Sequence, residues 1–268
     1  MKLIRFILLS LTVLFGGLYL LYVSYVYFNQ EEMVFRHFKL EKNYQFDFGG
    51  DFTEINIPVE VNTNIHGLLF KGNPSKGLVF YLHGNAGALN TWGGIAEQYT
   101  NLGYDFFIMD YRGFGKSDGT IESSKQVLND VNQVYEKIRK DYKNIIIIGY
   151  SIGTGPAAYL ASKHHPDKLI LQAPYFNFLE LSREKAPLFP DFLKKFDFAT
   201  DQYIRNTQSQ IVIFHGKDDR MISVVNSEKL QQYLKKSDQL FLLENQGHLG
   251  MNDNEAYQKE LQNLITKD

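Results

Sequence analysis

The chain has 268 residues, of which 44% are hydrophobic and 22% are charged, and these values are typical of a globular protein rather than a disordered one. Its formal net charge is −2, which gives a polyanion no attraction and argues against binding of nucleic acid. The sequence contains no cysteine, so disulfides, thiolate catalysis and cysteine-ligated metal sites are excluded.

The first predicted element is a membrane-spanning helix. Residues 6–28 contain no charge, and as a helix they would extend roughly 34 Å, against about 30 Å for the hydrocarbon core of a bilayer. The alternative is a cleaved signal peptide, but bulky residues stand at 25–28, where a cleavage site needs small ones. We predict a cytoplasmic tip and an uncleaved single-pass anchor over residues 1–29. Lys2 and Arg5 precede the anchor, and this positive-inside bias places the following domain on the non-cytoplasmic side.

Residues 30–268 are predicted to form one α/β domain. Two strands are expected to pair antiparallel at one edge of the sheet, at residues 55–59 and 64–70. After them, continuous apolar strands alternate with helices, which is typical of a parallel sheet buried on both faces. The later strands are predicted at residues 77–83, 105–110, 144–149, 168–173, 210–215 and 239–243. The helices are predicted at residues 90–102, 121–140, 151–163, 224–234 and 254–266.

Residues 175–207 interrupt this alternation and are predicted to form a short cap. The segment is rich in phenylalanine and tyrosine. Ligands of such sheets bind beyond the carboxyl ends of the strands, so a cap inserted there would cover the site. An apolar cap beside a membrane would suit an acyl chain. The alternative is that its aromatic side chains only pack the cap onto the domain.

The segment Gly149-Tyr150-Ser151-Ile152-Gly153 matches the pattern G-x-S-x-G at a strand-to-helix junction. The sharp turn needs glycine two residues to either side of the serine, because only glycine lets the strand and the helix approach each other. We predict Ser151 as a nucleophile. The alternative is a tight turn with a capping serine.

A serine hydroxyl needs an adjacent base, and three of the seven histidines follow predicted strands: His83, His215 and His248. His83 and His215 each precede a glycine at a strand end, and we expect them to orient loops. His248 stands in the loop between the last strand and the last helix, so we predict it as the base. The acid that orients it should follow another strand, where Asp218 and Asp219 are both available.

The oxyanion of the tetrahedral intermediate needs two preorganised N–H donors. One is expected from Ile152, at the head of the helix after the nucleophile. The other is expected from the glycine-rich loop after residues 77–83, where the backbone N–H of Asn85 is the predicted donor. The alternative for this loop is a glycine-rich turn with no catalytic part.

These residues together resemble the alpha/beta-hydrolase superfamily, and within it the short-capped, membrane-anchored serine hydrolases that include depalmitoylase-like alpha/beta-hydrolase domain proteins. The resemblance covers about residues 30–265. In the H-G-x-x-D pattern of that branch the acid is the fifth residue, which here is Asp219. One departure is that Leu249-Gly250-Met251 follows His248, where relatives often carry Asn or Asp. The motifs that carry the resemblance are residues 83–87, 110–119, 149–155, 215–219 and 247–248.

The resemblance implies an alpha/beta-hydrolase fold with a mostly parallel, doubly wound sheet of eight strands. It implies a hydrolase that cleaves an ester, thioester or amide through a Ser151-Asp219-His248 triad and an acyl-enzyme, with no metal or organic cofactor. The expected partners are a small-molecule or acyl substrate and a membrane. Peptidase activity stays open, as do a catalytically silent membrane-anchored binding protein and an acyltransferase or perhydrolase. The sequence leaves the oligomeric state open.

Overall fold

The computed structural model describes residues 1–266, and the last two residues of the predicted domain, 267 and 268, lie outside this range. An eight-stranded sheet forms the centre of the molecule. Its strands are β1 (Phe52–Glu60), β2 (Thr63–Phe70), β3 (Leu78–Leu82), β4 (Asp105–Met109), β5 (Ile145–Tyr150), β6 (Lys168–Gln172), β7 (Gln210–Gly216) and β8 (Gln239–Leu243). Their spatial order is β1-β2-β4-β3-β5-β6-β7-β8, and β2 runs antiparallel to both of its neighbours while the other pairs are parallel. The predicted mostly parallel sheet of eight strands is therefore confirmed.

The helices cover both faces of this sheet, as expected for strands that are apolar throughout. Alternate residues of one strand enter opposite halves of the core: Ile147 joins one buried cluster, whereas Ile146 and Ile148 join the other. The helices are α1 (Lys2–Val34), α2 (Leu89–Trp92), α3 (Ala96–Thr100), α4 (Ser124–Ile138), α5 (Thr154–His164), α6 (Phe178–Lys185), α7 (Thr200–Arg205), α8 (Val225–Gln231) and α9 (Glu255–Thr266).

The prediction of a single helix over residues 90–102 is wrong in one respect: in the structure, this segment is broken in the middle. A 3₁₀ turn at Gly93–Ile95 separates α2 from α3. Two consecutive glycines weaken a helix, and the ring of Phe48 packs where a side chain at Gly93 would lie, 2.5 Å from an added Cβ. The ring of Phe48, whose packing the local sequence does not reveal, thus requires glycine at position 93, and the glycine pair weakens the helix there.

Helix α1 is the only helix within residues 1–266 that is long and apolar enough to cross a membrane. At 1.5 Å per residue it measures about 50 Å. Residues 1–21 are exposed, whereas Val26 and Gln30 are buried against the domain. The helix continues without a break through residue 29, where the sequence predicts the anchor to end, and stops at Val34. Its first part is thus mostly exposed, although the Tyr19 hydroxyl reaches the carbonyl oxygen of Leu188, and its last part is packed on the domain.

The segment predicted as a cap lies between β6 and β7 and contains α6 and α7. Asn177 begins α6, because its side-chain oxygen accepts a hydrogen bond from the Leu179 amide. Between the two helices, a 3₁₀ turn at Asp191–Leu193 leads back toward the domain. Phe196 and Phe198 are buried in the core, so part of the aromatic content attaches this segment to the domain.

Candidate active site

The turn after β5 carries Ser151 in a strained backbone conformation. Its φ is 53°, a region that L-residues other than glycine, asparagine and aspartate rarely adopt. The flanking glycines make this turn possible: a Cβ on Gly149 would lie 2.5 Å from the carbonyl oxygen of Gly153, and one on Gly153 would lie 2.2 Å from that of Leu82. The strand, the turn and the helix are therefore as crowded as the sequence pattern requires.

Three side chains from distant parts of the chain meet at this turn. The hydroxyl of Ser151 lies 2.9 Å from Nε2 of His248, and Nδ1 of His248 lies 2.6 Å from Oδ2 of Asp219. With the proton on Nδ1 donated to Asp219, Nε2 is free to accept from the serine hydroxyl. All three residues are buried. The structure thus brings the three predicted residues together in one hydrogen-bonded chain, and their catalytic role stays a prediction.

Asp219 is held by both of its carboxylate oxygens. Oδ1 accepts hydrogen bonds from the backbone amides of Met221 and Ile222, at 2.8 and 2.9 Å. Oδ2 faces His248 and lies 3.3 Å from Nε2 of His215. Asp218 is exposed. Of the two neighbouring carboxylates, only Asp219 is therefore placed to orient the imidazole of His248.

The surroundings of Asp219 keep it ionised. Burial raises the pKa of this carboxyl, but hydrogen bonds from His215, His248 and the Ile222 amide outweigh burial, so that the pKa lies well below its usual value. A carboxylate that stays charged can stabilise the positive form of His248 during proton transfer.

His215 is a residue whose contact with the candidate triad the sequence did not reveal. Its Nε2 lies 2.8 Å from the carbonyl oxygen of Ile222, which can only accept, so Nε2 carries the proton and Nδ1 accepts from the Ser227 hydroxyl at 2.6 Å. This arrangement fixes the loop that carries Asp219. His83 is bound elsewhere, since its Nδ1 donates to the carbonyl oxygen of Gly84 at 2.7 Å.

The loop around His248 is held without the Asn or Asp that relatives often carry after the histidine. The side-chain amide of Gln246 donates to the carbonyl oxygens of Gly247 and Leu249, at 2.9 and 2.8 Å. The hydroxyl of Tyr150 donates to the carbonyl oxygen of His248. Gln246, which precedes the histidine, thus provides hydrogen bonds for the loop. The sequence motif did not suggest this role for Gln246.

The two residues predicted as oxyanion donors, Asn85 and Ile152, border the cavity that Ser151 opens into. Ile152 is the second residue of the 3₁₀ turn Ser151–Gly153, directly before α5. Asn85 follows β3, and within residues 1–266 its backbone N–H donates to no protein acceptor. Both residues line the same cavity as Ser151 and His248, and their role as oxyanion donors stays a prediction.

A cavity of about 300 Å³ opens at Ser151 and His248, a volume within the range of ligand sites. Its lining is mainly apolar and comes largely from the segment predicted as a cap, including Phe178, Phe189 and Phe196. Helix α1 also lines it, which the sequence did not suggest. In the described part of the chain, no group of three or more histidine or carboxylate side chains is placed to hold a metal ion.

The chain is similar to one protein-family model and to several curated proteins. Residues 73–199 match the family model described as serine aminopeptidase, S33, a match that includes Ser151 and ends before Asp219. The chain is 31% identical over 201 residues to alpha/beta hydrolase domain-containing protein 17C of Xenopus tropicalis, covering 71% of this chain and 61% of the relative. It is 31% identical over 182 residues to lysophosphatidylserine lipase ABHD12 of Bos taurus, covering 58% and 45%. The chain thus spans about half the length of the curated relatives it matches.

Solved structures share the fold at low sequence identity. An esterase of Pyrococcus furiosus, Pf2001, superposes with a TM-score of 0.66 at 16% identity, covering 86% of this chain and 96% of that one. Alpha/beta hydrolase domain-containing protein 10 from mouse gives a TM-score of 0.63 at 18% identity, covering 80% and 96%. At such identities the likeness establishes the architecture and leaves the substrate open.

Proposed function

We propose that this chain, which belongs to the alpha/beta-hydrolase superfamily, is a membrane-anchored serine hydrolase. It cleaves a carboxylic ester, thioester or amide of an apolar acyl group. The observation that carries the proposal is the hydrogen-bonded chain from Ser151 through His248 to Asp219 at the end of an apolar cavity. A nucleophile, a base within hydrogen-bonding reach and a third group that orients the base are what acyl transfer through a serine needs.

The first half of the proposed reaction acylates Ser151. His248 Nε2 takes the hydroxyl proton while Oγ forms a bond to the carbonyl carbon, and the carbonyl oxygen becomes the oxyanion. The amides of Asn85 and Ile152 stabilise that oxyanion. The tetrahedral intermediate then breaks its bond to the leaving group, which takes the proton from His248. Asp219 keeps the imidazole in the tautomer that accepts at Nε2 and stabilises its positive charge.

The second half returns the enzyme to its starting state. Water replaces the leaving group in the site, gives one proton to His248 and attacks the acyl carbon. Collapse of the second tetrahedral intermediate breaks the bond to Ser151, whose Oγ recovers the proton. The acid is released, and in these steps the chain contributes the side chains and backbone amides of the site while water supplies the second nucleophile.

The lining of the cavity supports an acyl group as the part of the substrate that binds. Aromatic and aliphatic side chains dominate it, and the free energy of binding then comes from removing apolar surface from water. A lysophosphatidylserine lipase among the relatives supports the same class of substrate. The exposed apolar part of α1 supports a site of action at a membrane.

The test is hydrolysis by the purified full chain in detergent, with p-nitrophenyl esters of increasing acyl length. Ser151→Ala is expected to lower kcat by about 10⁴-fold or more, because the nucleophile is lost while the site remains. Ser162→Ala is the matched control, since Ser162 lies on α5 and, within residues 1–266, its hydroxyl bonds only to the carbonyl oxygen of Tyr159. Equal hydrolysis by the Ser151→Ala variant, or a full chain that is folded and inert, would contradict the proposal.

A further inference from the structure

The last part of α1 is held on the domain by specific hydrogen bonds. The side chain of Gln30 is buried and lies within reach of two backbone groups: its amide donates to the carbonyl oxygen of Leu193 at 3.0 Å, and its oxygen accepts from the amide of Lys195 at 2.9 Å. The carboxylate of Glu31 accepts from the amide of Ile121 at 2.7 Å. Because a buried polar side chain that loses its partners is costly, these bonds fix the rotation of α1 about its axis.

The fixed rotation turns one side of α1 toward the cavity. Val26, Gln30, Met33 and Val34 all line the space that Ser151 and His248 open into, and they are spaced as one face of a helix. Val26 is 5% exposed. Helix α1, the predicted membrane anchor, therefore also lines the candidate acyl site.

The end of α1 is joined to the loop that carries the predicted oxyanion donor. The side-chain amide of Asn85 donates to the carbonyl oxygen of Val34 at 3.1 Å, and the carbonyl oxygen of Asn85 accepts from the amide of Arg36 at 2.7 Å. Both contacts leave the backbone N–H of Asn85 free. Val34 thus marks the reacting end of the cavity, and Val26, eight residues earlier, lies about 12 Å farther along the helix axis.

We propose that α1 is a specificity element of the active site as well as an anchor, and that Val26 limits the length of the acyl chain. This inference rests on the proposed function. A short acyl group bound at Ser151 ends well before Val26, whereas a long one must pass it. A change in size at Val26 should therefore alter the discrimination between long and short chains, since even one methylene in an apolar pocket is worth about 10–200-fold in kcat/KM.

The position of the segment 175–207 gives the acyl chain a path from the bilayer. The hydroxyl of Tyr19 donates to the carbonyl oxygen of Leu188 at 3.2 Å, so this segment meets α1 about 22 Å before the end of the helix. Leu188 and Phe192 are 68% and 86% exposed. Large apolar side chains left exposed beside a membrane helix favour contact with lipid. The chain of a bilayer lipid can then follow α1 into the cavity.

The test compares kcat/KM for p-nitrophenyl dodecanoate and acetate in the full chain. Val26→Trp fills the far end of the cavity and is expected to lower the dodecanoate-to-acetate ratio by about tenfold or more. Val26→Ala enlarges it and is expected to move the ratio in the opposite direction. Val13→Trp is the matched control, because it places the same side chain at a position of α1 that is 68% exposed, and its ratio should equal that of the unsubstituted chain.

The outcomes separate this inference from the proposed function. If the unsubstituted chain hydrolyses no ester in a Ser151-dependent way, the proposed function fails and this inference fails with it. If hydrolysis depends on Ser151 but both Val26 variants keep the original ratio, only the role of α1 is overturned. A common loss on both esters in Val26→Trp, with no opposite shift in Val26→Ala, would show a structural effect and also overturn it.

Discussion

At the scale of single residues, Asp218 and Asp219 provide a matched pair, since they are adjacent and chemically identical. Asp219 is buried and receives hydrogen bonds from two amides and His248, whereas Asp218 is exposed. Asp219→Asn is expected to lower kcat by about 10⁴-fold, because the amide favours the wrong tautomer of the imidazole. Asp218→Asn should change kcat by less than about twofold. Ester hydrolysis by the two purified variants measures this, and equal losses would contradict the assignment of Asp219.

The lowered pKa of Asp219 also predicts a dependence of stability on pH. The carboxyl of the unfolded chain, with its ordinary pKa of 3.8, binds protons more readily than the folded one. The contribution of Asp219 to the free energy of unfolding is therefore fully present above about pH 4, and it is lost as the pH falls through the lower folded pKa.

Thermal unfolding between about pH 6 and about pH 3 checks this expectation. The melting temperature of the unsubstituted chain should fall more steeply at the acid end than that of Asp219→Asn, which has no proton to gain at this position. Parallel curves for the two proteins would contradict a lowered pKa in the folded state.

The identity of these residues was only partly accessible from the sequence. The position of Ser151 follows from the local spacing of glycines, which the turn itself demands. The choice of Asp219 over Asp218 needed the resemblance to a family, because both follow the same strand. The contact of His215 with Asp219 depends on how the loop folds back, through Ser227 and Ile222, and no local pattern encodes it.

At the scale of elements, the turn between β5 and α5 is constrained by close backbone contacts at both of its glycines. Gly153→Ala is expected to lower the free energy of unfolding by about 1–3 kcal/mol, because the new Cβ would meet the carbonyl oxygen of Leu82 at 2.2 Å. Gly94→Ala is the matched control: a Cβ at Gly94 would meet no atom of residues 1–266 within 4 Å, and alanine is favoured over glycine in a helical turn. Unfolding in urea measures both, and a tolerated Gly153→Ala would contradict the crowding.

Elements with a clear pattern of apolar residues can be predicted from the sequence, whereas features that depend on distant contacts cannot. The strands of the parallel sheet stand in the sequence as continuous apolar runs, which only burial on both faces explains. The break between α2 and α3 is not predicted, because the glycine pair that weakens the helix is local but the packing of the distant Phe48 on Gly93 is not. The extent of α1 beyond the apolar run was also missed, since its last turns are stabilised by contacts with the domain.

At the scale of the whole molecule, α1 is one unbroken helix with an exposed apolar part and a part packed on the domain, and we propose that it anchors the domain to a membrane. The charges of Lys2 and Arg5 before the apolar run predict that the domain lies on the non-cytoplasmic side. Protease added to intact cells or spheroplasts should therefore digest the domain. A cytoplasmic marker protein should survive the same treatment, and lysed cells should lose both. A domain protected in intact cells and digested after lysis would place it on the cytoplasmic side.

From the sequence, the anchor and the domain are predicted as separate parts. The length of the apolar run identifies the anchor, and the alternation of strands with helices identifies the domain. The sequence does not predict how the end of the anchor packs on the domain. Val26 reads as one more apolar residue of a membrane helix, yet it lines the cavity with Ser151. Only the three-dimensional packing of α1 reveals that the segment has two environments.

The proposed hydrolase activity requires Ser151 to be an activated nucleophile. The most direct measurement is mass spectrometry of the full chain after reaction with a fluorophosphonate, which modifies only a serine that a neighbouring base activates. One adduct is expected, on the peptide that contains Ser151, and His248→Ala should abolish it. A folded chain that gains no adduct, or gains one at another residue while Ser151 stays unmodified, would contradict the account.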